Sequence, residues 1–242
     1  MNQLILDRAY HKHVDEWLWD EWGYGRNWDI HFPEMILWYS TAGLACLDDE
    51  VAYAFLRKAK KRELLPKRPR RTFGDARKIT TKICQNLKTN PVDYFTGGCG
   101  DIENGWRLLD EVYGVGPKIA SFMMLDLSFM RDYSTGEGRR SVVYRKKIDR
   151  SWFDTLTMDK QALFLPIDVH VYDGARRSRV GNSFQKHDVR DIQGDIDLYR
   201  AAATEIVLWA RDRTFDPRDV NIYWYGVGAG VINTKGRKIK QS

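Results

Sequence analysis

The sequence predicts an all-α protein, and three observations support that fold class. Apolar residues recur at helical spacing along most of the chain, whereas few runs alternate between apolar and polar residues as half-buried strands do. Prolines stand where helices commonly begin. Short turn sequences separate the periodic segments. With 242 residues the chain can form one domain or two small lobes, and we expect two helical lobes.

The N-terminal half predicts three helices. The first begins near Phe32-Pro33, because proline is tolerated in a first helical turn. A second follows a separation near Asp48-Asp49. Residues 64–69, which contain two prolines, predict a break. A third helix is expected over 72–87, where apolar side chains share one helical face, and Asn90-Pro91 ends it.

The remaining periodic segments predict a helix pair and two later helices. Residues 102–112 and 117–129 form the pair, with a very short joint between them. The polar and basic stretch 131–150 predicts a loop or excursion. Residues 169–177 and 198–213 predict the later helices.

Positive charge is concentrated in three clusters along a chain of net charge +6. Nine basic residues lie within 57–71 against one acidic residue, six lie within 139–150, and four follow Thr234. Each cluster alone is typical of a solvated face. Three together favour a polyanionic partner, because phosphate contacts and counterion release commonly use such surfaces.

Other features exclude several classes of protein. Cys46, Cys84 and Cys99 are widely spaced, which excludes a CxxC metal pair and a dense disulfide framework. No apolar run approaches the roughly 20 residues that span a bilayer, and the N-terminus lacks a secretory pattern. We therefore expect an intracellular protein, in the cytoplasm and nucleoid or in a nucleus, with no membrane partner.

The clearest local signal is the segment 113–120, Tyr-Gly-Val-Gly-Pro-Lys-Ile-Ala, between the paired helices. Gly114 suits the left-handed residue that ends a helix, and Val115 can fill the gap between the helices. Gly116 lets another chain approach the backbone, and Pro117 fits a first helical position. Free N–H groups at that helix start can bind a phosphate. An ordinary helix–turn–helix would share part of this pattern.

This segment and Leu-Pro-Ile-Asp-Val-His-Val at 165–171 together resemble the helix-hairpin-helix/Gly-Pro-Asp superfamily of DNA glycosylases. In that family the lysine after the hairpin glycines marks enzymes with glycosylase and lyase activities, and the aspartate is the catalytic carboxylate. The resemblance implies these roles for Lys118 and Asp168. The order Asp-Val-His is closer to the 8-oxoguanine DNA glycosylase branch than to the endonuclease III branch.

The resemblance also implies a partner and DNA contacts. We expect a monomer that binds double-stranded DNA containing a damaged or modified base, with the DNA crossing a cleft between the lobes. The residues expected to contact DNA are Gly114, Gly116, His170, Arg139, Arg140, Lys146 and Lys147. The aromatic candidates for a base pocket are Trp224 and Tyr225, which precede a glycine-rich stretch at 226–230 that we expect to be flexible.

The resemblance requires no cofactor. A monovalent cation often binds the hairpin carbonyl groups in that family, and this chain lacks the cysteines of the endonuclease III iron–sulfur cluster. No protein metal site is predicted. The separation between Lys118 and Asp168 is longer than in compact members, which makes 131–164 look like an insertion. We expect one lobe at 32–130, ending with the hairpin, and the other at 1–31 together with 131–242.

These roles predict excision of a damaged base through a lysine Schiff base, followed by β-elimination, with 8-oxoguanine as the first candidate. Simpler interpretations exist for each residue. Asp168 could only cap the helix at 169–177, Lys118 could only bind phosphate, and His170 could lie on the surface. The alternatives for the whole chain are a glycosylase for another modified base and a non-catalytic helix-hairpin-helix DNA-binding protein.

Overall fold

The computed structural model describes residues 2–6, 9, 27–42, 49–134 and 150–233. Regular structure in these ranges is helical throughout, so the all-α prediction is confirmed. The chain divides into two compact units. We call Trp22–Ser134 the continuous unit, and Met1–Glu21 together with Thr135–Ser242 the split unit. The boundaries predicted from the sequence were 31/32 and 130/131.

The continuous unit is built around α1 and α6. Its described helices are α1 (Trp28–Ala42), α2 (Asp49–Lys60), α3 (Lys67–Thr80), α4 (Pro91–Phe95), α5 (Ile102–Asp110) and α6 (Pro117–Ser134), and a π-helical segment, Thr81–Asn86, continues α3. Helix α1 packs against α2, α3 and α6, while α4 and α5 pack against α6 and each other. Residues 123–130 of α6 are all buried, so this helix lies in the core of the unit.

The split unit is built around α12. Besides the helical residues 3–6, its described helices are α7 (Ser151–Asp154), α8 (Met158–Ala162), α9 (Val169–Arg177), α10 (Ser183–Lys186), α11 (Val189–Gly194), α12 (Ile196–Asp212) and α13 (Pro217–Gly228). Helices α8, α10, α11 and α13 all pack against α12. Helix α9 packs mainly along α13, and this pair carries the second sequence motif.

Side-chain caps set the start of several described helices. An Asp or Asn precedes each of these helices, and its oxygen accepts a hydrogen bond from a backbone N–H of the first turn. The capping residues are Asn90 before α4, Asp101 before α5, Asp168 before α9, Asp188 before α11, Asp195 before α12 and Asp216 before α13. Two of these helices, α4 and α13, also have proline at the first position, where no intrahelical N–H is lost.

Helix starts are the main point at which the sequence prediction is wrong. Helix α1 begins at Trp28, so Pro33 lies inside it rather than in its first turn. The cost of an interior proline is offset by packing, since Phe32 is fully buried and contacts the rings of Trp28 and Phe95. The break predicted at 64–69 ends at Pro66, because Pro69 fits the first turn of α3.

The predictions for the C-terminal half have mixed outcomes. Helix α9 has the predicted bounds, and α12 begins two residues earlier than expected. The prediction of a flexible glycine-rich stretch at 226–230 is wrong for residues 226–228, because α13 continues to Gly228. Residues 131–134 complete α6 rather than beginning a loop. The insertion at 131–164 stays a prediction, and the described part of it includes Phe153 and Phe164, which are fully buried in the split unit.

No helix among the described residues is both long and apolar enough to cross a bilayer.

Candidate functional site

The turn between α5 and α6 carries the first candidate residues. Gly114 has φ +83°, a left-handed conformation that glycine adopts without the steric cost paid by other residues. Val115 is 5% exposed, and its N–H donates to the Val112 carbonyl at 2.9 Å. Pro117 is the first residue of α6. The predicted left-handed conformation of Gly114 and the predicted helix start at Pro117 are confirmed.

Neighbouring helices hold this turn in place within the continuous unit. The Trp106 indole N–H of α5 donates to Ser121 Oγ of α6 at 2.9 Å, and both side chains are buried. From α3, the Thr72 hydroxyl donates to the Tyr113 carbonyl at 2.7 Å. The Arg71 guanidinium lies 4.3 Å from the centre of the Tyr113 ring, a cation–π contact. The turn therefore has fixed polar partners from α3.

Gly116 and Lys118 lie on either side of the proline. A Cβ added to Gly116 would meet no atom of the described chain within 4 Å, so the backbone is open on that side. The Gly116 carbonyl accepts a hydrogen bond from the Ala120 N–H at 2.9 Å. Lys118 is the second residue of α6 and is half-buried. The arrangement places a primary amine in the first turn of a helix, beside an open glycine backbone.

The second candidate residue, Asp168, caps α9 in the split unit. Its Oδ1 accepts a hydrogen bond from the Val171 N–H at 2.8 Å, and the side chain is half-buried. The simpler interpretation of Asp168 as a helix cap is thus confirmed. The cap does not decide against a catalytic role, because it also fixes the position of the carboxylate.

The residues before Asp168 form a non-helical segment, 165–167, whose backbone is held by three side chains. Tyr199 Oη donates to the Leu165 carbonyl at 3.1 Å and accepts from the Ile167 N–H at 3.1 Å. Asn221 Nδ2 donates to the Pro166 carbonyl at 2.9 Å. Gln193 Nε2 donates to the Ile167 carbonyl at 2.7 Å. We call Gln193, Tyr199 and Asn221 the cradle.

The cradle fixes the backbone of residues 165–167, which directly precede Asp168. Leu165 and Ile167 are fully buried, so their backbone groups could not be solvated if these side chains were removed. No local sequence pattern predicts the cradle, because its members come from α11, α12 and α13. Asn221 stands between Val220 and Ile222, and this polar residue between two apolar ones is the sequence signal that could have suggested one of its members.

His170 and the two aromatic candidates lie where α9 meets α13. The His170 ring is 6.0 Å from the Tyr225 ring in an edge-on arrangement. A Cβ at Gly228 would lie 2.6 Å from His170 Cβ, so this glycine permits the contact. Trp224 is 5% exposed and packs against Gly174 and Trp209, which is a core position. Tyr225 is half-buried, and of the two aromatic candidates it is the more accessible.

A buried ionic cluster at the start of α13 was not predicted. Arg218 is fully buried, pairs with Asp216 at 2.9 Å and lies 4.1 Å from the centre of the Phe153 ring. Arg150 pairs with Asp219 at 2.8 Å, and the other Asp219 oxygen has no hydrogen-bond partner among the described residues. Two arginines and two carboxyl groups thus meet at this buried helix start in the split unit.

The pKa values of the two carboxyl groups in this cluster are shifted in opposite directions. Burial, together with repulsion from Asp216, raises the pKa of Asp219 to about 7. Burial alone would also raise the pKa of Asp216, but the charge and hydrogen bonds of Arg218 outweigh it and lower that pKa. The cluster therefore carries its proton on Asp219 at mildly acidic pH.

One group of predicted site residues cannot be placed in this geometry. Arg139, Arg140, Lys146 and Lys147 lie outside the described residues. Within the part of the chain that the structure describes, no group of three or more His, Cys, Asp or Glu side chains is arranged to hold a metal ion.

Comparisons of this chain with protein-family models, with curated proteins and with solved structures gave no match.

Proposed function

We propose that this protein is a DNA glycosylase with an associated abasic-site lyase activity, acting on a modified base in duplex DNA. The observation that carries the proposal is the turn at 113–118. It has a left-handed Gly114, an open backbone at Gly116, and Lys118 in the first turn of α6. We interpret α5, this turn and α6 as a DNA-binding helix-hairpin-helix, in agreement with the sequence resemblance.

In the proposed reaction Lys118 is the nucleophile. The target nucleotide first leaves the base stack, since its sugar is inaccessible in a duplex. The neutral amine of Lys118 attacks C1′, the N-glycosidic bond breaks, and the base departs with the bonding electron pair and takes up a proton. The sugar ring opens to give a Schiff base with the lysine nitrogen. Loss of a C2′ proton then breaks the C3′–O bond, which cuts the strand.

Asp168 has a supporting role in the same proposal. Positive charge develops on the sugar as the base leaves, and a carboxylate stabilises that charge electrostatically. The cap to the Val171 N–H and the cradle fix the carboxylate before any substrate binds, which is the property that electrostatic catalysis needs.

The test is a panel of duplexes, each with one lesion, scored separately for base release and for strand cleavage. The panel includes 8-oxoguanine, oxidised pyrimidines, alkylated purines and an abasic site. Base release with strand cleavage on at least one lesion supports the proposal, and the lesion names the substrate. Binding to every duplex without base release or cleavage would instead indicate a non-catalytic DNA-binding protein.

A further inference from the structure

The exposed face of α3 carries five cations on one side of the continuous unit. Thr72, Ala76 and Ile79 point into the core, and the opposite side of the helix is exposed. The cations on that side recur at helical spacing, so they share one face: Lys67, Arg70, Arg71, Arg77 and Lys78. We call these five residues the α3 face. Asp75 is the one acidic residue of the helix and pairs with Lys78 at 3.1 Å.

Two features of α3 are unfavourable for the isolated protein. Positive charge is concentrated at the start of the helix, and no acidic residue lies in its first turn, although the N-terminal end of a helix dipole favours anions. Gly74 lies in the helix interior, where glycine is a poor helix former. No atom of the described chain lies within 4 Å of a Cβ built at Gly74, so intramolecular packing does not require glycine there.

Helix α3 lies beside the turn that the proposed function assigns to DNA, and Arg71 is the residue of the α3 face that contacts it. Thr72 donates to the Tyr113 carbonyl, and its hydroxyl is 3.5 Å from the position of a Cβ at Gly114. Arg71 lies over the Tyr113 ring, which restrains its guanidinium at the edge of the turn. The side chains of Arg70 and Arg77 are exposed and make no ion pair or hydrogen bond within the described residues.

We propose that the α3 face is a second DNA-backbone contact, continuous with the turn at 113–116, and that Gly74 lets the phosphate backbone approach the helix closely. The inference rests on the proposed function for the identity of its partner. Arg70 to Lys78 span about 12 Å along the helix axis. That length corresponds to roughly three to four phosphates of one strand. Both unfavourable features of α3 are then explained by the anion that covers it.

The test measures affinity for undamaged duplex DNA as a function of salt concentration. The variant Arg70→Gln/Arg77→Gln/Lys78→Gln removes three cations and leaves Arg71 on Tyr113. Each lost phosphate contact reduces the slope of log affinity against log salt by about 0.9, so we expect a slope smaller by about 2.7. Between 50 and 200 mM salt that change corresponds to a roughly 40-fold smaller loss of affinity.

A matched control removes the same charge from the split unit. Arg176→Gln/Lys186→Gln/Arg190→Gln changes three exposed cations that the proposal does not place against DNA. Its slope should stay close to that of the parent protein. Equal slopes for the two triple variants would show that only total charge matters, which would overturn the inference.

A neutral substitution tests the close approach at Gly74. Gly74→Gln adds no charge and suits a helix, so the protein should keep or raise its Tm while the salt slope falls by about 1 to 2 as contacts are displaced. The control is Gly194→Gln, at another glycine whose Cβ position is open. Unchanged DNA affinity in Gly74→Gln would show that the backbone does not approach this residue.

These measurements do not depend on base excision. If the salt slope depends on the α3 face but the protein cuts no lesion, this inference holds and the proposed enzymatic activity is refuted. A protein that cuts a lesion but binds DNA independently of the α3 face refutes this inference alone.

Discussion

Gly174 is the residue at which the structure predicts the sharpest packing effect. A Cβ added there would lie 2.3 Å from Trp224 Cγ and 2.6 Å from Trp224 Cβ and Cδ1, whereas ordinary contacts begin near 3.4 Å. The Trp224 atoms in the way lie next to its backbone, so a rotation about its outer bonds cannot remove them. In Gly174→Ala, α9 and α13 must therefore separate by about 1 Å.

The expected magnitude is the difference between two opposing effects. Overpacking of a well-ordered core costs about 1–3 kcal/mol. Replacing glycine by alanine inside a helix stabilises the folded protein by about 1 kcal/mol. We expect Gly174→Ala to lower the free energy of unfolding by up to about 2 kcal/mol, which for a chain of this size lowers Tm by up to roughly 8 °C.

The assay is thermal unfolding followed by circular dichroism, with two comparisons. Gly74→Ala is the matched control, because its Cβ meets nothing within 4 Å, and it should raise Tm. In a Trp224→Leu background, Gly174→Ala should lose most of its cost, because the indole that it meets is gone. A Gly174→Ala protein that is stabilised as much as Gly74→Ala would refute the close packing of α9 on α13.

Three further predictions concern the cradle, the cap and the ionic cluster. Tyr199→Phe removes the hydroxyl that bridges the 165–167 backbone and leaves a buried N–H and a buried carbonyl unpaired. Urea unfolding should therefore show a free energy of unfolding that is lower by about 1–3 kcal/mol. A decrease below about 0.5 kcal/mol would contradict the two hydrogen bonds of this hydroxyl. Asp168→Asn keeps a capping oxygen but not the charge, so Tm should change little while base release on the cognate lesion falls about 10²–10⁴-fold; excision at the parental rate would reduce Asp168 to a cap. Between about pH 4 and 7, Asp219 keeps its proton in the folded protein but has lost it in the unfolded chain. The free energy of unfolding should therefore fall as the pH rises through that window, by at most about 1.4 kcal/mol per pH unit. Asp219→Asn should flatten this dependence, and a parallel pH profile for the two proteins would show that Asp219 is not the group that titrates.

The sequence predicted local features well, because they depend on residues close together in the chain. Both ends of α9 were predicted correctly, since Asp168 caps one end and the apolar periodicity stops at the other. The turn at 113–117 was predicted correctly for the same reason, because glycine and proline determine backbone geometry where they stand.

Features that depend on tertiary packing could not be predicted in this way. Pro33 lies inside α1 because buried aromatic rings stabilise that helix, and no local pattern shows those contacts. The charged residues at 216–219 look like an ordinary exposed helix start, yet Arg218 is fully buried. The cradle joins residues up to 55 positions apart, as between Pro166 and Asn221, so only the folded chain brings them together.

Borohydride trapping shows whether Lys118 forms a Schiff base with abasic DNA, on which the proposed reaction depends. Borohydride reduces the Schiff base of an amine nucleophile to a stable protein–DNA crosslink, which a hydrolytic glycosylase or a binding protein cannot give. An abasic-site duplex serves as substrate, because it needs no particular base. We predict a crosslink with the parent protein and with Lys160→Gln, and none with Lys118→Gln at a protein concentration that saturates binding. Undiminished trapping and strand cleavage by Lys118→Gln would contradict the account and place the nucleophile elsewhere.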